Sequence, residues 1–576
     1  CYTPFEPGLF GASVDLEPEQ TEDVIEAVVR ETERLRHEPV SAAELERARA
    51  NFLASQAWEG ESVSGMARKL GSFQVLAGDH RQADRYLEAV RTATAQDLQR
   101  VAEAYLGSSS LSIAGVLPEG TDAVNEEGVR AAVRRAGERA ERAAAAPQHE
   151  TRPPARKPAG SARSEEIQTY TLASGTQLIV TPRPDVPVVA VRAAMLGGQL
   201  SETEETAGLA GFLAGMWLRG TQGRSSADFA REVENLAGDV DGFSGRNSSG
   251  LTMDATREQF LPILDLFCEA ILSPGFAADE IERERRDTLA AIARREDRLS
   301  ARAFDLFNRT EFQRHPYRLP MTGTVETVTR FDREALEAAH RKIVGGNNLV
   351  VAVAGDIDPD EAAGEVSRRL GELPAGRDLR TTFPAEEPRT PGVRIAEEFK
   401  DRAQAHLVMG FRGLTIHDPD RIALEMLSQT LAGQGGRLFL ELRDRQSLAY
   451  SVTAVNVEGV APGSFAVYIA TAPEKLEQAK SGITDELRRA TSELLPEAEI
   501  ERARRYLIGH HAIDAQRSSS RALQLALDTR YGLGPEAHSL YPEQVRSVTA
   551  EDVRRVAERI IDFEASTLAI IRPEEA

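Results

Sequence analysis

Apolar positions along this chain change period repeatedly, and each change predicts an element. From Gly435 the sequence runs GGRLFLELRDRQSLAYSVTAV. Leu438, Phe439 and Leu442 recur at helical spacing, which predicts a short amphipathic helix over Arg437 to Arg445. Tyr450, Val452 and Val455 then stand among small polar residues and predict a strand from Leu448 to Val455. A helix-to-strand corner can bring Arg443, late on the helix, and Tyr450, early on the strand, into one pocket. There a guanidinium and a phenol could both donate hydrogen bonds to an acyl oxygen. The same residues also suit plainer roles, Arg443 opposite the helix dipole and Tyr450 in packing.

Upstream, YTLASGTQLIVT after Ile167 predicts a hairpin across Ser174-Gly175, and VPVVAVRAAML continues a sheet by alternation. Helical patterns follow at Thr206 to Leu218, Ser226 to Leu236, Arg257 to Leu272 and Asp279 to Phe312. NNLVVAVAGD reads as a buried strand, followed by a helix to about Leu370. Beyond RDLRTTFPAEEPRTPG, from Arg377, come a strand at His406 to Phe411, a helix, the corner, a strand and several helices. Residues 124–146 read as helix and PQHETRPPARKPAGSARSEE as a linker. Strands and helices without βαβ regularity predict an α+β chain of mixed sheets packed with helices. The expected segments are 1–123, a helical then Pro/Ala-rich linker 124–164, 165–376 and 390–576.

The chain also repeats itself. Pro7-Gly8-Leu9-Phe10 matches Pro462-Gly463-Ser464-Phe465, and Glu44 to Arg49 matches Glu499 to Arg504. TAQDLQRVAEAYL from Thr94 matches TAEDVRRVAERII from Thr549, always at an offset of 455 positions. Such matches without a net gap mean duplicated structure. Both Thr units open like an N-capped helix and run into β-like segments, LSIAGV from Leu111 and STLAII from Ser566. The second copy follows folded sequence that the first lacks, and no initiator Met is present. Both imply the C-terminal part of a longer protein, missing most of its first repeat.

Composition narrows the partners. A chain of 576 residues and 62.8 kDa has room for several domains. A net charge of −22 argues against nucleic acid and anionic membranes. Two cysteines, Cys1 and Cys268, can build neither a disulfide framework nor a cysteine zinc site. The apolar runs, such as LVVAVA from Leu349, are too short to span a bilayer.

The string LRDRQSLAY resembles a segment in the C-terminal half of the M16 zinc metallopeptidases (pitrilysin, insulinase, mitochondrial processing peptidase), where an Arg and a Tyr hold the substrate carbonyl. The matching positions are Arg443 and Tyr450, and Ser447 stands where the pattern usually has Gly. The resemblance implies duplicated M16 domains whose two halves face one another like a clam shell. It makes 1–123 the end of the second domain, 165–376 a third and 390–576 a fourth. M16 enzymes carry HxxEH on a helix and a Glu about 75 residues on, so that two histidines and a glutamate hold zinc. Here TAGLAGFLAGMWLRGT, from Thr206, puts Gly211, Ala214 and Gly215 at those positions, with Ala291 at the distal one. None can ligate metal or move a proton. Glu284 fits a neighbouring family position and reads as solvated surface; His315-Pro316-Tyr317 reads as a structural loop, and the adjacent His510 and His511 as pointing apart.

The resemblance therefore implies a chain without catalytic or metal-binding residues of its own. Zinc is expected in a missing upstream domain, and this chain closes a proteolytic chamber with Arg443 and Tyr450 on the peptide. Its expected partners are a peptide or unfolded protein substrate and its own N-terminal half or an active M16 subunit. A non-catalytic scaffold of the same fold is the rival expectation. Bacterial relatives are often exported, which leans a soluble protein towards the periplasm.

Overall fold

A computed structural model describes residues 8–121, 124–143, 166–381 and 387–574 of the chain. It forms two compact units, Cys1–Ala159 with Glu234–Ala237, and Gly160–Val233 with Gly238–Ala576. The predicted linker from Pro147 and residues 382–386 of the predicted boundary lie outside the described residues.

The first unit is helical: α1 (Thr21–His37), α2 (Ala42–Gly60), α3 (Val63–Leu76), α4 (Gln82–Thr92), α5 (Ala95–Tyr105) and α6 (Glu126–Ala143). Ser41 and Thr94 close capping boxes with Glu44 and Asp97, which fixes where α2 and α5 begin. Helix α6 lies along α1, where Arg135 donates to Glu22 and Glu26 at 3.1 and 3.0 Å. LSIAGV from Leu111 is not a strand, contrary to its pattern, and no strand occurs among the described residues 8–121. A strand needs neighbours to bond to, and the matching segment downstream has one on each side.

The second unit opens with β1 (Gln168–Thr171), β2 (Gln177–Pro182), β3 (Val188–Leu196), α7 (Leu209–Met216), α8 (Ser226–Asn235), β4 (Asp239–Ser244) and β5 (Ser248–Thr256). It continues with α9 (Phe260–Leu272), α10 (Ala278–Asp297), α11 (Leu299–Glu311), α12 (Val325–Arg330), α13 (Arg333–Ile343), β6 (Leu349–Gly355) and α14 (Pro359–Leu370). These strands form a sheet ordered β1-β2-β6-β3-β5-β4, antiparallel except for β2 beside β6. The hairpin turns at Gly175, whose φ of 89° suits glycine. The single helix expected from Asp279 to Phe312 is two, because Arg298, at φ −88° and ψ 90°, leaves the helical region.

After β7 (Arg394–Phe399), β8 (Ala405–Arg412) and α15 (Arg421–Leu431) come β9 (Ala449–Val457), β10 (Ser464–Thr471), α16 (Leu476–Ser492) and α17 (Glu497–Asp514). Then follow α18 (Ser518–Tyr531), α19 (Ala537–Ser547), α20 (Ala550–Ile560) and β11 (Thr567–Arg572). The second sheet is ordered β7-β11-β8-β10-β9, antiparallel apart from β7 beside β11. The architecture is mixed α+β.

Each sheet is covered on one face by a helix from the other half of the unit. Ala303, Leu306 and Phe307 of α11 pack on Val408, Tyr468 and Ile571 of the five-stranded sheet. Ala522, Leu525 and Ala526 of α18 pack on Ile179, Ala194 and Ala352 of the six-stranded one. Burying one Leu or Phe stabilises by about 1.5–3 kcal/mol. Phe307 lies so close over β8 that a Cβ at Gly410 would sit 2.6 Å from its ring. At the end of α11, Glu311 is 1% exposed and accepts from Arg394 (2.7 Å), Arg412 (3.0 Å) and the Thr567 hydroxyl (2.7 Å).

Candidate functional site

The corner after α15 is built by close approach. Residues Phe439–Arg445 form a π-helix, not the α-helix that their spacing predicts. Leu442, fully buried, packs against α16 where a Cβ at Gly482 would lie 2.4 Å from its methyl group. The wider π turn keeps Leu438, Leu442 and Leu448 in the core while the chain reverses into β9. The reversal runs through Ser447, whose φ of 51° lies in the left-handed region. Lys475 Nζ donates to the Ser447 carbonyl at 3.0 Å and the Thr471 hydroxyl to that of Leu448 at 2.6 Å, so both carbonyls of the turn are satisfied. At the start of the corner, Arg437 is held by Glu499 at 2.7 Å.

This scaffold brings Arg443 and Tyr450 together. The Arg443 guanidinium carbon lies 4.7 Å from the Tyr450 ring centroid and 4.6 Å from that of Phe439, so the cation is held between two aromatic faces. Its Nη1 donates to the Tyr450 main-chain carbonyl at 3.0 Å. No carboxylate lies within 4 Å of it among the described residues, so most of its donors are uncommitted. Tyr450 is 79% exposed and its hydroxyl bonds to no described residue. It stands near the start of β9, which is the edge strand of its sheet. The arrangement offers a planar cationic fork and a phenolic hydroxyl, side by side, to an acceptor oxygen.

The other predicted motif lies on α7 and is shut by packing. Gly242 on β4 faces the Ala214 carbonyl so closely that a Cβ there would be 2.2 Å from it. A Cβ at Gly215 would lie 2.3 Å from the Glu284 carboxylate, whereas at Gly211 the nearest atom is 3.6 Å away. Glu284 is not solvated surface as its position predicts. It accepts from Arg219 Nε at 2.8 Å, and Arg219 also reaches Glu280 (3.6 Å) and Asp287 (2.5 Å). Arg219 lies just past the end of α7 and reaches the same carboxylate that a side chain at Gly215 would meet. A guanidinium therefore stands among these carboxylates, and Gly211, Ala214, Gly215 and Ala291 offer no ligand. These residues do not fit zinc. Among the described residues no cluster of three or more His, Cys, Asp or Glu could hold a metal ion.

Three buried carboxyls have no signal in the sequence. Glu202 accepts from the N–H groups of Gly208 (3.0 Å) and Ala210 (2.8 Å) at the start of α7, and burial pushes its carboxyl up to about 7. Just past β9, Glu458 is likewise pushed up by burial to about 7, beside Arg421 at 3.7 Å and Asn456 at 3.1 Å. Asp528 on α18 rises to about 6 for the same reason. Neither the Glu202 contact nor the approach of Arg421 to Glu458 leaves a periodic trace in sequence. His315 and Tyr317 are buried, and burial lowers the histidine to about 4. His510 stacks on Tyr506 and His511 on His538 and Tyr541, so the two do point apart. No helix among the described residues is long and apolar enough to cross a membrane.

The family model of the peptidase M16 inactive domain matches residues 1–52 and 330–507, and that of insulinase (peptidase family M16) matches 179–325. Between them they cover more than half of the chain. A protein named as an uncharacterized zinc protease in Rickettsia bellii is 25% identical over 418 residues, covering 71% of this chain and 98% of that one. A similarly named protein of Mycobacterium leprae is 28% identical over 412 residues, covering 70% and 91%. Among solved structures, a peptidase M16 inactive domain from Pseudomonas fluorescens aligns with a TM-score of 0.66 at 22% identity, over 71% of this chain and 98% of that one. A protease from Helicobacter pylori aligns with a TM-score of 0.67 at 20% identity, over 71% and 100%. These two likenesses establish the fold.

Proposed function

Because the chain belongs to the M16 peptidase family, we propose that it is the substrate-holding part of an M16-type zinc metalloendopeptidase. One observation carries this reading: Arg443, half-buried between two rings, and the exposed Tyr450 stand side by side with donors to spare, on a corner that folds at the expense of a left-handed serine. A group serving only packing has no need of such exposure. The oxygen of a bound peptide carbonyl is the acceptor that suits them. Arg443 would approach it with a planar fork already oriented by the Phe439 and Tyr450 rings, and Tyr450 with its hydroxyl. Both donors gain strength as negative charge grows on that oxygen, so they favour the transition state over the bound substrate.

The zinc of such an enzyme would be held outside this chain, in its own N-terminal half or in an active M16 subunit, since the α7 positions cannot hold it. The substrate would be a peptide or an unfolded protein, and the periplasm is the compartment that we favour. A second reading, a non-catalytic scaffold, is supported by the small residues at all four motif positions, Gly211, Ala214 and Gly215 on α7 and Ala291 on α10.

Kinetics on the zinc-loaded complete peptidase separate the two. Arg443→Ala and Tyr450→Phe are each expected to lower kcat/KM by about 10² to 10³ with melting temperature and zinc content unchanged. Arg443→Lys is expected to be impaired too, since an ammonium has no planar fork. Unchanged kcat/KM in all three variants would overturn the substrate-holding role, and absence of any zinc-dependent cleavage would favour the scaffold.

A further inference from the structure

Between β2 and the helices α17, α18 and α19 the second unit keeps a cavity of about 320 Å³. At about 30 Å³ for each water, it has room for about ten non-hydrogen atoms. Leu525 of α18 and Pro542 of α19 give it apolar walls. Thr181 of β2, His511 of α17, Arg521 of α18 and His538 of α19 give it polar ones. No carboxylate occurs among the described residues that line it.

Two features make the cavity more than a gap in packing. Thr181 stands two residues beyond Ile179 on β2, so its side chain is on the face that α18 covers. It is 1% exposed, yet its hydroxyl has no partner among the described residues. A valine would fill the same volume without leaving a buried hydroxyl unpaired. The second feature is a pair of rings from different helices. His511 and His538 stand 4.1 Å apart between centroids, and Tyr541 lies 4.7 Å from His511. Burial, the His511 ring and Arg521 push His538 down to about 4, and burial lowers His511 too. An anion set against the two rings supplies the negative charge that the lining lacks, and the Thr181 hydroxyl is placed to donate to it.

We propose that this cavity binds a small carboxylic acid as its anion, the carboxylate towards Thr181, His511 and His538 and the carbon skeleton against Leu525 and Pro542. The three polar groups converge from three different elements, which is how a preformed pocket fixes the orientation of its ligand. Apolar walls beside a single polar cluster suit a carboxylate with an apolar body better than a phosphate, which needs donors all round. Neither Arg443 nor Tyr450 lines the cavity, so this site is independent of the substrate-holding role.

Calorimetry on the full chain tests this, with benzoate as the probe and benzamide as the neutral molecule of the same shape. Saturable benzoate binding is expected with a Kd of about 1 mM or tighter, and benzamide should bind at least about tenfold more weakly. Thr181→Val keeps the shape and removes the hydroxyl; His538→Phe keeps a ring and removes its nitrogens. Each should weaken benzoate about tenfold without lowering the melting temperature. Benzamide bound as well as benzoate would overturn the recognition of an anion. Inorganic phosphate competing on equal terms would overturn the part given to the apolar walls. Binding unchanged in both variants would put benzoate elsewhere on the chain. No saturable binding at about 20 mM benzoate would leave the cavity to water and overturn the site altogether.

Discussion

Helix α7 and the Phe439–Tyr450 corner are held in opposite ways. On α7 the motif positions are small and the surroundings have closed over them: the Glu284 carboxylate, held by Arg219, fills the space that a side chain at Gly215 would need. At the corner the side chains are large and rich in donors, Tyr450 is exposed and Arg443 half-buried, and the backbone is strained at Ser447. On α7 the small residues are part of the packing, so one substitution cannot build a metal site there. At the corner, Tyr450 stands where packing does not demand it, and the proposed substrate-holding role would account for that.

The harshest way to break this contrast is to cut what joins the two halves. Glu311→Ala leaves Arg412 and Arg394 without their buried partner and is expected to cost about 3–5 kcal/mol. Urea unfolding would measure it, and a loss under about 1 kcal/mol would mean that the ion cluster is dispensable. Next, Gly215→His should cost about 1–3 kcal/mol from overpacking against Glu284, and Gly211→His clearly less. Neither should bring stoichiometric zinc through dialysis; metal retained by either variant would show that α7 is less closed than its geometry.

The pH dependence sharpens the comparison from the side of the corner. Glu458 titrates near 7 when folded and near the ordinary 4.5 when unfolded, so the folded state holds the proton more tightly. Its contribution is fully present below about pH 4.5 and is lost as pH rises through 7. Glu458→Gln should therefore gain stability relative to the parent between about pH 5 and 8, by about 2 kcal/mol. Melting curves across that range would check it, and parallel curves would remove the assignment. The smallest effect is expected at Ser447. Ser447→Gly relieves the left-handed strain and should stabilise by about 1 kcal/mol in chemical unfolding; a loss would mean that the hydroxyl matters more than the backbone.

Local signals were legible in the sequence. Thr94 and Thr549 announced their helices because a capping box is written within four residues. Leu349–Gly355 announced a buried strand because all its residues are apolar or small. The Arg443/Tyr450 pair is legible because a helix-to-strand corner brings the two together and LRDRQSLAY resembles an M16 segment. What was misread depends on distant neighbours. The π-helix shares its apolar spacing with an α-helix, and the groove at Gly482 lies some forty residues away. Arg298 is a good helix former, so nothing local marks the break between α10 and α11. Glu284 looked solvated because its partner Arg219 precedes it by 65 positions.

The exchange of α11 and α18 between the two sheets has a consequence for inheritance. Neither sheet has its covering helix nearby in sequence, so half of the second unit, copied alone, would expose an apolar face and gather unwanted partners. Only the pair is a unit that can be duplicated and still fold. The repeat period of 455 residues is far longer than either sheet's own segment, as expected if the heritable module was two domains already locked together. A chain cut between the two sheets should for the same reason stay associated, since the crossed helices, not the connecting peptide, hold the halves.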